Sequence, residues 1–334
     1  MEKSRIEFID LAKGFCIILV VFNHVHKFYD PPFLLDDTFK VFRMPLYFFL
    51  SGLFFKSYEG FIGFLKRKIN KLLIPFIFFF IATSFLLRNI MLYVLNFKLK
   101  LNILWSFIYP EFFPNFPIWF LLCLFELNII FYCIYIFSNK FGKHKLLVLT
   151  ILSGTIGFTG YYLGHAGMNL PMFIDTAMSA LPFFYVGFLT RKYTTLLQPN
   201  RLDRFNIPIA CVLLLITYLF ATRINYASND FTNASFLVVY GCGLTGIFSI
   251  LLLSKAINKL PYISYLGRYS IILLCTHYII AYFLFLFQSK YLHVSDWTAI
   301  IINLAITLSL YVFIIPFMRK YLPHVTAQKD VIKV

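Results

Sequence analysis

The sequence predicts an all-α, polytopic membrane helix bundle of about ten transmembrane helices, with both termini cytoplasmic. Three observations predict it. The 334 residues are 60% hydrophobic and only 13% charged, whereas a soluble domain carries about 25% charged and about 45–50% apolar residues. The apolar residues form continuous runs, not the alternating pattern of barrel strands. The basic residues gather in every second connection between the runs. A disordered chain, a coiled coil and an ordinary soluble enzyme are excluded by the same composition.

A helix needs about 20 apolar residues to cross the hydrocarbon, and there all its backbone polar groups must be satisfied internally. Ten segments qualify: roughly 11–28, 39–55, 72–95, 117–137, 146–163, 171–190, 207–222, 235–253, 263–287 and 297–318. The second is short and contains Pro45; the third and ninth are long. With the N-terminus inside, the inner segments hold 22 of the 30 Lys and Arg residues and the outer segments seven, while Arg88 falls within the third span. That bias sets the orientation. It also accounts for most of the net charge of +16 without nucleic acid, whose binding face would gather its cations on one domain.

The chain is expected to be one domain over 1–334, ending in a short cytoplasmic tail, 323–334. The longest outer loop, about 96–116, carries Pro110 and Pro114 and is expected to fold back on the outer mouth. No cleavable signal peptide is expected, because the first apolar run runs on into polar residues. All six cysteines fall inside apolar runs without metal-ligand spacing, so neither a disulfide framework nor a metal site is expected.

An ionisable residue inside a span marks a functional site by default, because burying it costs several kcal/mol unless it is paired or hydrated. The first span is the richest, with Asp10, Lys13, Asn23 and His24. Asp10 and Lys13 are three apart and can pair. Lys13 and His24 are eleven apart, which places them on one helix face about 16 Å apart along the axis. Arg43 opens the second span near the depth of His24, and its permanently charged guanidinium suits an oxyanion or a carboxylate. Glu126 and His277 are expected at similar depth on two further helices, with Trp119 nearby. His24, Arg43, Glu126 and His277 are thus the candidate catalytic residues. Asn23, Trp119 and Ser51 are the candidates for substrate contact, with close helix packing the other reading of Ser51-Gly52. On the inner side, Asp10, Lys13, Arg67, Lys68 and Lys71 are candidates for holding an anionic cosubstrate, and Arg268 lies among them. Each also has a plainer reading: interface residues for Lys13, His24, Arg43 and Trp119, positive-inside signal for the segment 66–71, and a satisfied core histidine for His277.

These residues carry a resemblance. Ile9-Asp10-Leu11-Ala12-Lys13-Gly14 followed by His24, Arg43-Met44-Pro45-Leu46-Tyr47-Phe48-Phe49-Leu50-Ser51-Gly52, Arg67-Lys68 with Leu73-Ile74-Pro75, Trp119-Phe120-Leu121, and Gly267-Arg268-Tyr269-Ser270 with His277 are similar, in order and spacing, to the acyltransferase 3 family of integral membrane acyltransferases. The nearest resemblance is to its fucose 4-O-acetylase-like branch. Lys13 stands where many members have arginine, which keeps the charge and loses the bidentate fork.

The resemblance implies a membrane O-acyltransferase, in the first instance an O-acetyltransferase. The acyl group would pass from cytoplasmic acyl-CoA (acetyl-CoA), used as a co-substrate without a metal, to a hydroxyl of a surface or lipid-linked glycan. The implied location is a bacterial inner membrane, with acyl-CoA, the glycan acceptor and membrane lipids as partners and no nucleic acid. The oligomeric state stays open, a homodimer among the options. A transporter or flippase for a glycan or lipid-linked precursor is the alternative, since the same polar residues could line a pathway; the lack of an inverted repeat counts against it.

Overall fold

A computed structural model describes residues 6–58, 60–93 and 115–333. The chain runs as α1 (Glu7–Tyr29), α2 (Asp36–Leu53), α3 (Phe61–Lys68), α4 (Ile74–Tyr93), α5 (Trp119–Asn139), α6 (Lys145–His165), α7 (Ile174–Tyr193), α8 (Asn206–Phe220), α9 (Gly243–Ile257), α10 (Pro261–Arg268), α11 (Ser270–Tyr291) and α12 (Asp296–Tyr321). Among the described residues the only β pairing is an isolated bridge between Asn225 and Asp230.

Nine helical stretches among these residues are long and apolar enough to cross a membrane. The expected second span, α2, is not one of them. Asp36, Asp37, Lys40 and Arg43 crowd its first half, and all four border a polar cavity instead of lipid. The bundle nevertheless keeps the alternation that the charge count demands. One end gathers the start of α1, the end of α2, the start of α3, the ends of α7 and α12, and α10. It is tied together by Arg191 donating to the Leu53 carbonyl (3.2 Å), by Lys259–Glu7 (3.4 Å) and by Arg268–Glu7 (3.6 Å). At the other end Tyr29 hydrogen-bonds Gln288, and His26 packs against Trp297.

Two expected boundaries change. The segment 66–71 is not a loop: α3 continues through a π-helical turn, Ile69–Leu73, into α4. No glycine or proline stands between Lys66 and Pro75 to end the helix, and Pro75 comes just after the π-helical turn. The ninth run divides into α10 and α11 at Tyr269. The expected fold-back of the long outer loop concerns 96–114, outside the described residues.

Helix α1 is the hub, contacting α2, α9, α10, α11 and α12. In lipid, helices associate by close packing rather than by hydrophobic exclusion, so small residues mark the crossings. A Cβ at Gly14 would overlap the Ile263 carbonyl, and one at Gly267 the Asp10 carbonyl, which locks α10 onto the start of α1. Gly52 and Gly187 do the same for α2 and α7, against the carbonyls of Phe184 and Phe49. The large exposed side chains, such as Leu219, Ile301 and Phe313, face outward from the bundle where lipid would lie.

Candidate active site

Two histidines meet at the outer half of α1. Gly267 fixes α10 beside Asp10 and Gly14. Ten residues further along, about 15 Å up the axis, His277 of α11 reaches the level of His24. His277 Nε2 lies 3.2 Å from His24 Nδ1. His277 is fully buried and His24 is 8% exposed.

Hydrogen-bond partners assign the ring protons. His277 Nδ1 lies 2.6 Å from the Leu273 carbonyl, which can only accept. That nitrogen therefore carries the proton, and His277 Nε2 keeps its lone pair. His24 Nδ1 then faces two acceptors, His277 Nε2 and the Val20 carbonyl at 2.8 Å, and must itself be protonated. The lone pair of neutral His24 is left on Nε2, which has no protein hydrogen-bond partner among the described residues. An imidazole held in this tautomer is a base whose other face is already set to support a positive charge.

His24 borders a cavity of about 620 Å³. Arg43, Asn23 and Trp119 share its wall. Asn23 is 4% exposed, and its side-chain oxygen has no partner among the described residues. Arg43 makes no ion pair within 4 Å and no side-chain hydrogen bond among them. Its backbone carbonyl accepts from Cys16 Sγ at 2.7 Å, which seats the middle of α2 against α1. A buried polar atom without a partner is costly, and both the Asn23 oxygen and the half-buried Arg43 guanidinium stand at the wall of this cavity. Trp119, 3% exposed, rests on Phe173, and Phe116 and Tyr278 flank the His24 ring.

The far wall escaped sequence reasoning. Arg223, Asn225 and Asp230 line the cavity from the α8–α9 connection. Asn229, in the left-handed region with φ 47°, pins this connection. Its amide donates to the Gly160 carbonyl (3.0 Å) and its oxygen accepts from Ser179 (2.8 Å). Tyr226 is buried there against Phe183 and Phe231, and burial pushes its phenol well above the ordinary tyrosine pKa. The Asn-rich stretch 225–233 signals a turn, but nothing local shows that it faces His24.

Other candidates lie elsewhere. Glu126 is absent from the cavity wall; it is half-buried on α5, where its electrostatic neighbour is Asp175 of α7. Ser51 accepts from Asn128 at 3.2 Å in the packing between α2 and α5. Asp10 binds Arg268 at 3.4 Å. Lys13 stands over the Phe54 ring at 6.0 Å, and Arg191, a cation that sequence reasoning took only as topology, stands over the same ring at 5.6 Å. Arg67 stacks on Tyr58 (4.4 Å) and Lys68 approaches Phe64 (5.4 Å). Lys71 pairs with Asp330 at 2.9 Å. Lys13 and Arg191 thus meet over Phe54 at the ends of α1, α2 and α7, while Arg67, Lys68 and Lys71 are held beside Tyr58, Phe64 and the C-terminal tail. Among the described residues no three His, Cys, Asp or Glu side chains converge as metal ligands would.

A family model described as an acyltransferase domain matches residues 6–319. No curated protein and no solved structure matches the chain.

Proposed function

Because the chain belongs to the acyltransferase 3 family of membrane acyltransferases, we propose that it moves an acyl group, an acetyl group in the simplest case, from acyl-CoA to a hydroxyl of a glycan or lipid-linked sugar. The donor binds at the inner end of the bundle and the acceptor in the cavity at the outer end, in a bacterial cytoplasmic membrane. The observation that carries this reading is the histidine pair: His24 Nδ1 is held by two acceptors, and Nε2 is left as the base.

In the reaction, His24 Nε2 takes the proton of the acceptor hydroxyl as its oxygen attacks the thioester carbonyl. The Arg43 guanidinium at the cavity wall stabilises the oxyanion. Collapse forms the ester and breaks the carbon–sulfur bond, and the His24 proton goes to the departing thiolate. The imidazolium in between is supported by the Val20 carbonyl and by His277, which is a positioning residue here. Asn23, with its unsatisfied oxygen, accepts a hydroxyl of the sugar, and Trp119 supplies an aromatic wall. The phosphates of the donor have charge-assisted partners among Lys13, Arg67, Lys68 and Lys71. The rise of about 16 Å from Lys13 to His24 suits an extended thioester arm.

The test is CoA thiol release by the purified protein in vesicles, given acetyl-CoA inside and a glycan mixture outside. The wild type should release CoA and form an O-acetyl ester, detected by mass spectrometry, and His24→Ala should lose at least about a hundredfold in rate. Full activity of His24→Ala would end the assignment. Glycan flux without CoA release would point instead to transport.

A further inference from the structure

The C-terminal tail is docked, and what it docks on is the basic segment. Asn70 sits fully buried in the π-helical turn. Its side-chain oxygen accepts from the backbone N–H groups of Val331 (3.0 Å) and Ile332 (2.9 Å), and its amide donates to the Ile332 carbonyl (2.8 Å). One side chain thereby reads three backbone groups of the tail, as a neighbouring strand would. The flanking cations are taken as well. Lys71 pairs with Asp330 (2.9 Å) and donates to the Ala327 carbonyl (2.8 Å), and Lys66 donates to the Lys333 carbonyl (3.3 Å). The tail carries a single carboxylate between 323 and 333, Asp330. It pairs with the segment, while Arg319 and Lys320 at the end of α12 and Lys329 beside it border a separate cleft.

We propose that Lys66, Asn70 and Lys71 form a phosphate-binding site that the chain's own tail occupies at rest, with Asp330 standing where a phosphate would bind. A carboxylate and a phosphate oxygen take the same ammonium partner in the same way. The Lys71–Asp330 pair is partly exposed, at 46% and 37%, so a bound dianion can displace it. Within the π-helical turn Asn70 is buried while the neighbouring Lys71 is exposed. A phosphate here has two possible sources: the nucleotide end of an acyl donor, which rests on the reading proposed above, or an anionic lipid headgroup, which does not.

The experiment uses the full chain in nanodiscs. Binding of adenosine 3′,5′-bisphosphate is measured for the wild type, Asp330→Asn, and a chain ending at Thr326. Retention of phosphatidylglycerol against phosphatidylcholine is read by native mass spectrometry on the same samples. Removing the competing carboxylate should tighten binding about two- to fivefold, the range of an exposed ion pair. Removing the whole strap should tighten it further. A gain for the bisphosphate identifies a nucleotide phosphate, and a gain confined to phosphatidylglycerol identifies a lipid headgroup. Unchanged or weaker binding of both probes by Asp330→Asn, a surface change with no burial at stake, would overturn the proposal. Hydrogen exchange at 327–333 is the second readout: the bisphosphate or the anionic lipid should deprotect the tail, and unchanged protection at saturation would also overturn it. Neither measurement needs turnover, so a missing acyl transfer reaction would defeat the functional reading without touching this one.

Discussion

The histidine pair makes a quantitative demand on His277. Replacing it with Phe keeps a ring of similar volume in a fully buried position but removes the acceptor 3.2 Å from His24 Nδ1. The Val20 carbonyl at 2.8 Å remains, so the tautomer survives and His24 keeps Nε2 as its base. What is lost is one of the two acceptors that share the single Nδ1–H of the imidazolium that forms as the acceptor proton is taken. A hydrogen bond to a charged group contributes about 1.5–3 kcal/mol, and at 3.2 Å the lower part of that range applies. About 1.5 kcal/mol in the transition state is a roughly tenfold fall in kcat. Because the loss appears only as charge develops, KM for donor and acceptor should stay within about twofold. His277→Gln, which can return an oxygen acceptor, should recover part of the rate. The assay is initial-rate CoA release in vesicles over a range of both substrates. Unchanged kcat in His277→Phe, or a loss confined to KM, would refute the pairing as a catalytic device and leave His277 a satisfied core residue.

Three further outcomes follow from the same geometry. Arg43→Gln should lower kcat by about a hundredfold or more, the usual cost of removing an oxyanion donor, with Arg43→Lys in between because it keeps the charge and loses the fork; steady-state rates decide it, and an effect on KM alone would reassign Arg43 to acceptor binding. Asn229→Ala removes the hydrogen bonds to Ser179 and Gly160 and places alanine at a positive φ, so hydrogen exchange across 223–230 should quicken and acceptor KM should rise, while donor KM holds. Gly187→Leu drives a side chain into the Phe49 carbonyl; fluorescence-detected size exclusion should show loss of folded protein, and a normal profile would mean that the α2–α7 crossing is looser than its contacts indicate.

Much of this molecule is a one-dimensional property of its chain. Lipid demands long apolar helices and charge asymmetry demands alternation, so spans, order and orientation can be read from run lengths and lysine positions alone. The face shared by Lys13 and His24 follows from helix periodicity. The boundary at 66–71 was misjudged because a cluster of basic residues looks like a loop when the criterion is hydropathy, although no residue there breaks a helix. Helix α2 falls short of the others in apolar length because Asp36, Asp37, Lys40 and Arg43 occupy its first half, although its second half, from Pro45 to Leu53, is apolar.

What the chain could not declare is which polar groups meet. Sequence depth puts His24, Arg43, Trp119, Glu126 and His277 on one level, but level says nothing of azimuth. Packing against α1 turned His277 onto His24, whereas Glu126 sits on α5 with Asp175 of α7 as its electrostatic neighbour. Asp10 found Arg268 because two glycines, Gly14 and Gly267, let α10 press against α1. The cavity wall at 223–230 and the tail on Asn70 are held by hydrogen bonds between residues 50 to 262 positions apart, whose partners no local pattern encodes. The sequence by itself determined a membrane helix bundle, its direction and a histidine poised on its first helix, because those follow from solvent and helical periodicity. Only the tertiary structure decided which nitrogen of that histidine keeps its lone pair, because a ring proton goes wherever its neighbours can accept it.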